Sequence, residues 1–370
     1  MNVNKDQALG YLSRLGSQPA TSFYESGVVA TIKTILAESG VDYRLDGYGN
    51  IIAKLTGQVD SLANSVDTIP PIAFVAHMDH PGFEAVSIDG DYLVGQAAGG
   101  IPVGSFADGV PLQVILEDGH RLSAVIAGRH GKEADRQGLI KLNTQQPISL
   151  PRSVVFDLVD FQLDGEYIRM RALDDLAGCG SILAALSILS HGPAPGDIYG
   201  VFTRAEEVGL VGARVMGEAG TLPENTLVVS LESSRTLPGA EIGGGPVIRV
   251  GDAGFTFNAE AESALIKARE ILQARPEGFK VQRQLMSGGV CEASAFALYG
   301  YRTTGIAFPL GNYHNGAAED KIEAEYIHQD DFLGGIELIV EASYRVLDRG
   351  DTAFRRRLGD LPEELRSRLV

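Results

Sequence analysis

Asp174 and Asp175 are neighbouring carboxylates at the end of an extended run and the start of an Ala-rich helical pattern (Arg171-Ala172-Leu173-Asp174-Asp175-Leu176-Ala177-Gly178). Folded chains avoid concentrated, uncompensated charge at such a junction, so the pair calls for a cation. Further polar residues follow short apolar runs. His77 and Asp79 follow Ile72 to Ala76, Glu206 and Glu207 follow Ile198 to Thr203, Glu232 follows Thr226 to Leu231, and His314 lies in the loop after Thr303 to Phe308. Two imidazoles with several carboxylates suit a zinc-type dinuclear centre better than an all-oxygen magnesium or calcium cage. On this reading Asp174 bridges two ions, and His77, Glu206, Glu207, Glu232 and His314 complete the site.

Each piece also has a plainer reading. Asp174 and Asp175 can be a helix N-cap and a first-turn acid. His77-Met78-Asp79 can cap a turn, Glu206-Glu207 can open a solvated helix, and His314 can be an exposed loop residue. Glu232 is harder to dismiss, because a carboxylate directly after a buried apolar run needs a partner. The joint occurrence of these residues on successive strand ends favours the metal reading, since open α/β sheets carry their sites there. A metal-bound His77 would have its other ring nitrogen fixed by Asp79. His120, His130 and His191 lie in polar loops and read as solvent residues; Cys179 and Cys291 read as packing, and His80 stands beside the site.

The elements that must deliver these residues are legible from periodicity. Residues 6 to 39 read as two helices, the second carrying Val28, Val29, Ile32, Ile35 and Leu36 at helical spacing before Gly40. Tyr43 to Asp46 and Asn50 to Leu55 read as a hairpin. Residues 57 to 70 read as an exposed polar loop, and Ile72 to Ala76 as a strand buried on both faces. From about Gly82 to Met170 the texture changes to short β-like pieces such as Phe83 to Ile88, Tyr92 to Val94, Leu112 to Leu116 and Leu122 to Ile126. Asp174 and Asp175 end the strand that returns from this stretch to the sheet.

Strand and helix patterns then alternate: helix Ser181 to Leu189, strand Ile198 to Thr203, helix Leu210 to Met216, strand Thr226 to Leu231 and helix Ser263 to Ala274. Strands near Lys280 to Gln284 and Thr303 to Phe308 follow, then an amphipathic helix from Asp330 to Leu347. The expected fold is α/β, a doubly wound, mostly parallel sheet interrupted by a small β-rich domain. The expected division is a discontinuous catalytic unit of residues 1–82 and 171–350, an insert of residues 83–170, and a charged tail of residues 351–370.

With 31 Lys and Arg against 48 Asp and Glu, the chain carries a formal charge of −17. That acidity disfavours nucleic acid and anionic lipid as partners. No segment approaches the length of a membrane span. Two cysteines cannot build a disulfide framework, which suits a reducing cytoplasm.

The motifs Asp46-Gly47-Tyr48-Gly49-Asn50, Ala76-His77-Met78-Asp79, Ala172-Leu173-Asp174-Asp175, Thr203 to Gly212 and Gly243-Gly244-Gly245-Pro246 resemble, in order, those of the TET-type and glutamyl (deblocking) aminopeptidases. These are dinuclear zinc exopeptidases within the wider zinc amino- and carboxypeptidase clan. The resemblance implies a doubly wound catalytic domain with a β-barrel or PDZ-like insert. It implies two divalent ions per chain, zinc first, with cobalt or manganese as alternatives. His77, Asp174 and Glu232 would hold one ion; Asp174, Glu207 and His314 would hold the other. Glu206 would be the general base, Asp79 would orient His77, and the Asp174-Asp175 peptide would be cis. The chain departs from the family pattern at Glu232, where many members have Asp, at His80-Pro81, and at Val290-Cys291-Glu292.

The expected activity is release of N-terminal residues from short peptides, by water activated between the ions. The alternatives are a deacylase acting on N-acyl amino acids, or a silent binding or scaffold module. The resemblance also implies a homo-oligomer.

Overall fold

A computed structural model describes residues 3–57, 69–131, 138–144 and 148–369; residues 58–68 of the expected exposed loop lie outside them. The chain opens with α1 (Lys5–Gly16) and α2 (Ser26–Glu38), then the hairpin β1 (Asp42–Leu45) and β2 (Ile51–Leu55), then β3 (Ile72–His77). Asn4 caps α1 by accepting from the Gln7 amide at 3.1 Å. All six residues of β3 are buried, as a two-sided central strand requires.

The chain then leaves the sheet. Strands β4 (Gly82–Asp89), β5 (Tyr92–Ala98), β6 (Pro111–Ile115), β7 (Arg121–Arg129), β8 (Leu139–Thr144) and β9 (Arg152–Phe156) close into a barrel in the order β4-β5-β8-β7-β6-β9. Alternate residues point inward, and Phe83, Leu112, Val114, Ile140, Leu142, Val154 and Phe156 fill the interior as a core separate from that of the main sheet. Closure removes the free edges that short β strands would otherwise expose.

The return path differs from the one expected. Strands β10 (Gln162–Asp164) and β11 (Tyr167–Met170) pair with each other, and β11 pairs with β17 (Glu325–His328) in a separate three-stranded sheet. The strand before Asp174 therefore does not join the main sheet. It lies beside a later strand that follows His314.

The main sheet is completed by β12 (Ile198–Thr203), β13 (Leu227–Arg235), β14 (Val247–Arg249), β15 (Gln282–Gln284) and β16 (Arg302–Leu310), in the order β1-β2-β12-β3-β13-β16-β14-β15. Its middle four strands, β12, β3, β13 and β16, are parallel, and β2 and β14 join them antiparallel on either side. Helix α3 (Leu176–Leu189) is buried on nearly every side, packed against β3, α1 and α7 (Gln329–Arg345), which explains its all-round apolar sequence. Helices α4 (Val211–Glu218) and α6 (Glu292–Leu298) pack together beside a second core cluster that includes Ala73, Val75, Val201 and Phe296, while α5 (Ala259–Gln273) packs on α7. Among the described residues no helix is long and apolar enough to cross a membrane. Residues 353–369 form two short exposed helices and a final turn.

Candidate metal centre

Parallel pairing sets the carboxyl ends of β3 and β12 side by side, with Thr203 in register with His77. Glu206 and Glu207, just past β12, thereby arrive next to the imidazole. Glu232 was expected directly after its strand, but β13 continues to Arg235 because Ser233, Ser234 and Arg235 keep pairing with Phe308, Pro309 and Leu310. Glu232 thus projects from within a strand. His314 follows β16 in a tight turn with φ at 54°. Asp174 and Asp175 are joined by a cis peptide.

All six proposed contributors converge. One donor atom each from His77, Asp174 and Glu232 lies within 4.8 Å of the others; the same holds for Asp174, Glu207 and His314, and for His77, Glu206 and Glu207. His77 Nε2 is 3.4 Å from Asp174 Oδ1 and 3.9 Å from Glu206 Oε2. His314 Nε2 is 3.5 Å from Asp174 Oδ2 and 3.6 Å from Glu207 Oε1. Asp174 faces one imidazole with each oxygen, as a bridging ligand would.

This donor set fits dications. Asp174 Oδ1 and Glu207 Oε1 are buried without a hydrogen-bond partner, a costly arrangement for carboxylates unless a cation stands between them. Burial raises the Glu206, Glu207 and Glu232 carboxyls above the usual range, and neighbouring carboxylates add to the effect against the opposing His77 charge. Glu232 is pushed up to about 8. Burial acts the same way on Asp174, yet His314 and His77 hold its carboxyl well below the usual range. Burial would lower His77, but Glu206, Asp174 and Asp79 outweigh it and raise the imidazole. A doubly charged ion reverses the repulsion that drives the glutamates upward.

The surrounding hydrogen bonds aim the side chains. His77 Nδ1 donates to the Asp79 carbonyl at 3.0 Å, with the Asp79 carboxylate 3.6 Å away, so backbone and side chain of Asp79 both turn Nε2 toward the site. The Asp79 carboxylate chiefly holds the next loop. It accepts from the Glu206 amide at 2.9 Å, the Glu207 amide at 3.2 Å and the Ser22 hydroxyl at 2.6 Å. Buried Glu25 holds the same loop by accepting from the Ala205 amide and from Arg204 Nε.

On the opposite side, His314 Nδ1 donates to the Gly100 carbonyl of the segment following β5, at 2.6 Å. Buried Glu325 of β17 accepts from the amides of Leu173 at 2.7 Å, Asp174 at 3.0 Å and His314 at 2.8 Å. Asp175 caps α3 by accepting from the Gly178 amide at 3.1 Å; a Cβ at Gly178 would meet that carboxylate.

His80 is not a substrate-facing residue. It is buried, donates from Nδ1 to the Asp174 carbonyl at 2.9 Å, and places Nε2 3.0 Å from the Asn315 side chain. Burial pushes its imidazole down to about 4, against the Asn315 side chain and the Asp174 carbonyl, whose hydrogen bonds act in the opposite direction. Cys179 is buried and donates to the His77 carbonyl, within packing distance of the centre but facing its backbone. Glu25, Glu325 and Asn315 were not singled out from the sequence. For Glu25 and Glu325 the available signal was a carboxylate within an otherwise foldable pattern, which looks like ordinary surface charge until a partner is known; the neutral Asn315 in its loop carried no such signal.

The centre opens into a cavity of about 640 Å³, whose wall includes Leu237, Arg249, Met286 and Cys291. Arg249 is buried, and its Nε and Nη1 have no hydrogen-bond partner.

The model of the M42 glutamyl aminopeptidase family matches residues 141–334. A protein of Acetivibrio thermocellus described as a candidate aminopeptidase is 25% identical over 190 residues, which are 50% of this chain and 53% of that relative. The chain thus spans about half the length of the curated relative it matches. Among solved structures, the Pyrococcus horikoshii TET1 peptidase is 24% identical, covering 91% of this chain and 99% of the other, with a TM-score of 0.74. An aminopeptidase of Desulfurococcus kamchatkensis is 21% identical over 94% and 99%, with a TM-score of 0.75. A TET aminopeptidase from a marine-sediment Thaumarchaeota archaeon is 19% identical over 93% and 100%, with a TM-score of 0.77. At these identities the likeness is one of fold.

Proposed function

The chain belongs to the M42 glutamyl aminopeptidase family, and from that premise we propose that it is a dinuclear metal-dependent aminopeptidase that releases N-terminal residues from short peptides. The observation that carries this reading is Asp174, buried and shared between two overlapping ligand clusters with a histidine facing each of its oxygens. His77, Asp174 and Glu232 would hold one ion, and Asp174, Glu207 and His314 the other. Two dications bound there would polarise the scissile carbonyl and acidify water.

The remaining work falls to the chain's own groups. Glu206, whose Oε2 stands at the edge of the cluster 3.9 Å from His77 Nε2, takes a proton from the attacking water and delivers it to the leaving amine. Asp79 holds the Glu206 amide and thereby the carboxylate's starting position. The surplus of carboxylates receives the substrate's free α-ammonium. Arg249 lies in the wall of the same cavity, and its positive charge, which Glu232 and Asp252 face in part, supports an acidic first residue, as in the name of the family.

Zinc is the first choice of ion for a set with two imidazoles, with cobalt or manganese as alternatives. Homo-oligomeric assembly is part of the proposal, supported by the related P. horikoshii TET1 peptidase, which can form a tetrahedron or a large octahedral shell. A cytoplasmic location is supported by two buried, unpaired cysteines.

The test is Glu206→Gln. It is expected to retain two ions per chain by elemental analysis while hydrolysis of aminoacyl p-nitroanilides falls by about 10²–10⁴-fold. Undiminished turnover with metal bound would remove Glu206 from this role. Cleavage of N-acylated peptides with no cleavage of free-amine ones would replace the aminopeptidase reading with a deacylase. Within a substrate panel, glutamyl and aspartyl compounds are expected to lead, and Arg249→Met to abolish that lead.

A further inference from the structure

Past the candidate centre the cavity continues into a second groove of about 460 Å³, and Gly100, Arg235, Tyr313 and His314 line both spaces. If the first cavity takes the N-terminal residue, as the proposed function has it, the second receives the part of the peptide beyond the scissile bond. Its wall is made of neutral residues such as Ile101, Pro102, Leu310 and Ala317, and Arg235 is the one fixed charge among the described residues that line it.

Arg235 is the last residue of β13, three positions after Glu232. Its guanidinium lies over the Tyr313 ring, 4.7 Å from the centroid, and that ring stacks on the His314 imidazole with centroids 3.7 Å apart. Tyr313 thus contacts both a cation and a residue of the candidate centre. Arg235 makes no ion pair with any described residue. Stacking on Tyr313 leaves the in-plane N–H donors free, and these match a carboxylate in two-pronged fashion.

We propose that Arg235 binds the free C-terminal carboxylate of di- and tripeptide substrates, making this a short-peptide enzyme that recognises both ends of its substrate. The length follows from the stack. The two ring separations together set an upper bound of about two residues of extended chain, at roughly 3.3–3.6 Å each, on the span from the His314 ring to the guanidinium. A carboxylate one or two residues beyond the scissile bond reaches the guanidinium, whereas that of a longer peptide passes it. A chain of net charge −17 repels a peptide's carboxylate, so an unpaired cation in an otherwise neutral groove selects for it.

The experiment compares kcat/KM for matched di-, tri- and pentapeptides carrying a free C-terminal carboxylate or a C-terminal amide. The wild-type protein is expected to favour the free acid by about tenfold for the two short lengths, the scale of one charge-assisted pair, and to show no preference for the pentapeptides. In Arg235→Gln the acid-to-amide ratio is expected to fall to one, and in Arg235→Lys to recover in part. Because the ratio is taken within each variant, a general loss of activity does not mimic the effect. Equal cleavage of acid and amide by the wild type, or an unchanged ratio in Arg235→Gln, overturns the proposal. Hydrolysis of aminoacyl p-nitroanilides, which carry no carboxylate, tests the aminopeptidase reading separately; its absence would overturn that reading instead.

Discussion

His77 and His314 approach Asp174 from opposite sides, and they are held there by different means. His77 is the last residue of a central strand, and its partner Asp79 lies two residues on, so that half of the site is set by one strand end and its neighbour β12. His314 sits in a left-handed turn. Its ring is oriented by Gly100, 214 residues away beside the inserted barrel, and its amide is held by Glu325 of a small separate sheet. One half is set by neighbouring strand ends of the central sheet, whereas the other requires segments outside that sheet, at Gly100 and Glu325, to have docked. The His314 half is therefore the more easily disturbed without unfolding the sheet.

The largest expected effect is at Glu325. Glu325→Ala leaves the amides of Leu173, Asp174 and His314 unpaired in the interior, at about 1–3 kcal/mol for each buried donor. Thermal unfolding is expected at a clearly lower temperature, and metal titration should show the ion on the His314 side weakened more than the ion on the His77 side, because Glu325 holds His314 as well as the shared Asp174. Equal weakening of both would mean that the two halves are not separable.

A smaller effect is expected at Gly100, where a Cβ would lie 2.9 Å from His314 Nδ1. Gly100→Ala keeps the accepting carbonyl but displaces the imidazole. Affinity for the ion on the His314 side should fall about 10–100-fold, the usual range for disturbing a ligand's outer partner, with little change in melting temperature. Competition with a chromophoric chelator measures both steps. Loss of the ion on the His77 side would break the comparison.

The smallest effect concerns Glu292, beneath the His77 half. It is fully buried, its Oε1 is bonded by the Thr203 hydroxyl and its Oε2 has no partner; burial raises its carboxyl to about 7. An acid whose folded pKa is raised binds its proton more tightly when folded. Its contribution is therefore fully present below the unfolded value near 4.5 and is lost as pH rises toward 7. In chelator-treated protein, Glu292→Gln should flatten the pH dependence of melting between these limits and raise stability at pH 8 by roughly 1–3 kcal/mol. A melting profile unchanged by the substitution would show that the buried carboxyl does not titrate in this window.

Much of this was legible in the chain itself. The apolar runs around Ile72 to Ala76 and Ile198 to Thr203 announced two-sided strands because burial on both faces leaves no polar positions to alternate. Ser181 to Leu189 announced a buried helix, extending in the structure from Leu176. Three elements carried no comparable signal. Strand β14 has three residues, β17 has four, and α6 is a seven-residue helix entered directly from a glycine-rich segment, so none spans enough chain to establish a period. Glu232 is recognisable by type, but the end of its strand is not, because the polar Ser233 and Ser234 carry no strand signal until β16 is there to pair with them.

The order of chemistry-bearing residues along the chain, and the sheet whose strand ends carry most of them, were determined by sequence alone, because hydrophobic periodicity and short-range turn chemistry are local properties. What tertiary structure decided was orientation: which ring nitrogen faces inward, which carboxylate oxygen stays unpaired, and which distant amide or carbonyl does the aiming. Those depend on contacts such as Gly100 with His314 and Glu325 with Asp174, across 214 and 151 residues of chain. No local pattern encodes them, because each is created only when separate segments pack and exclude the water that would otherwise satisfy the same groups.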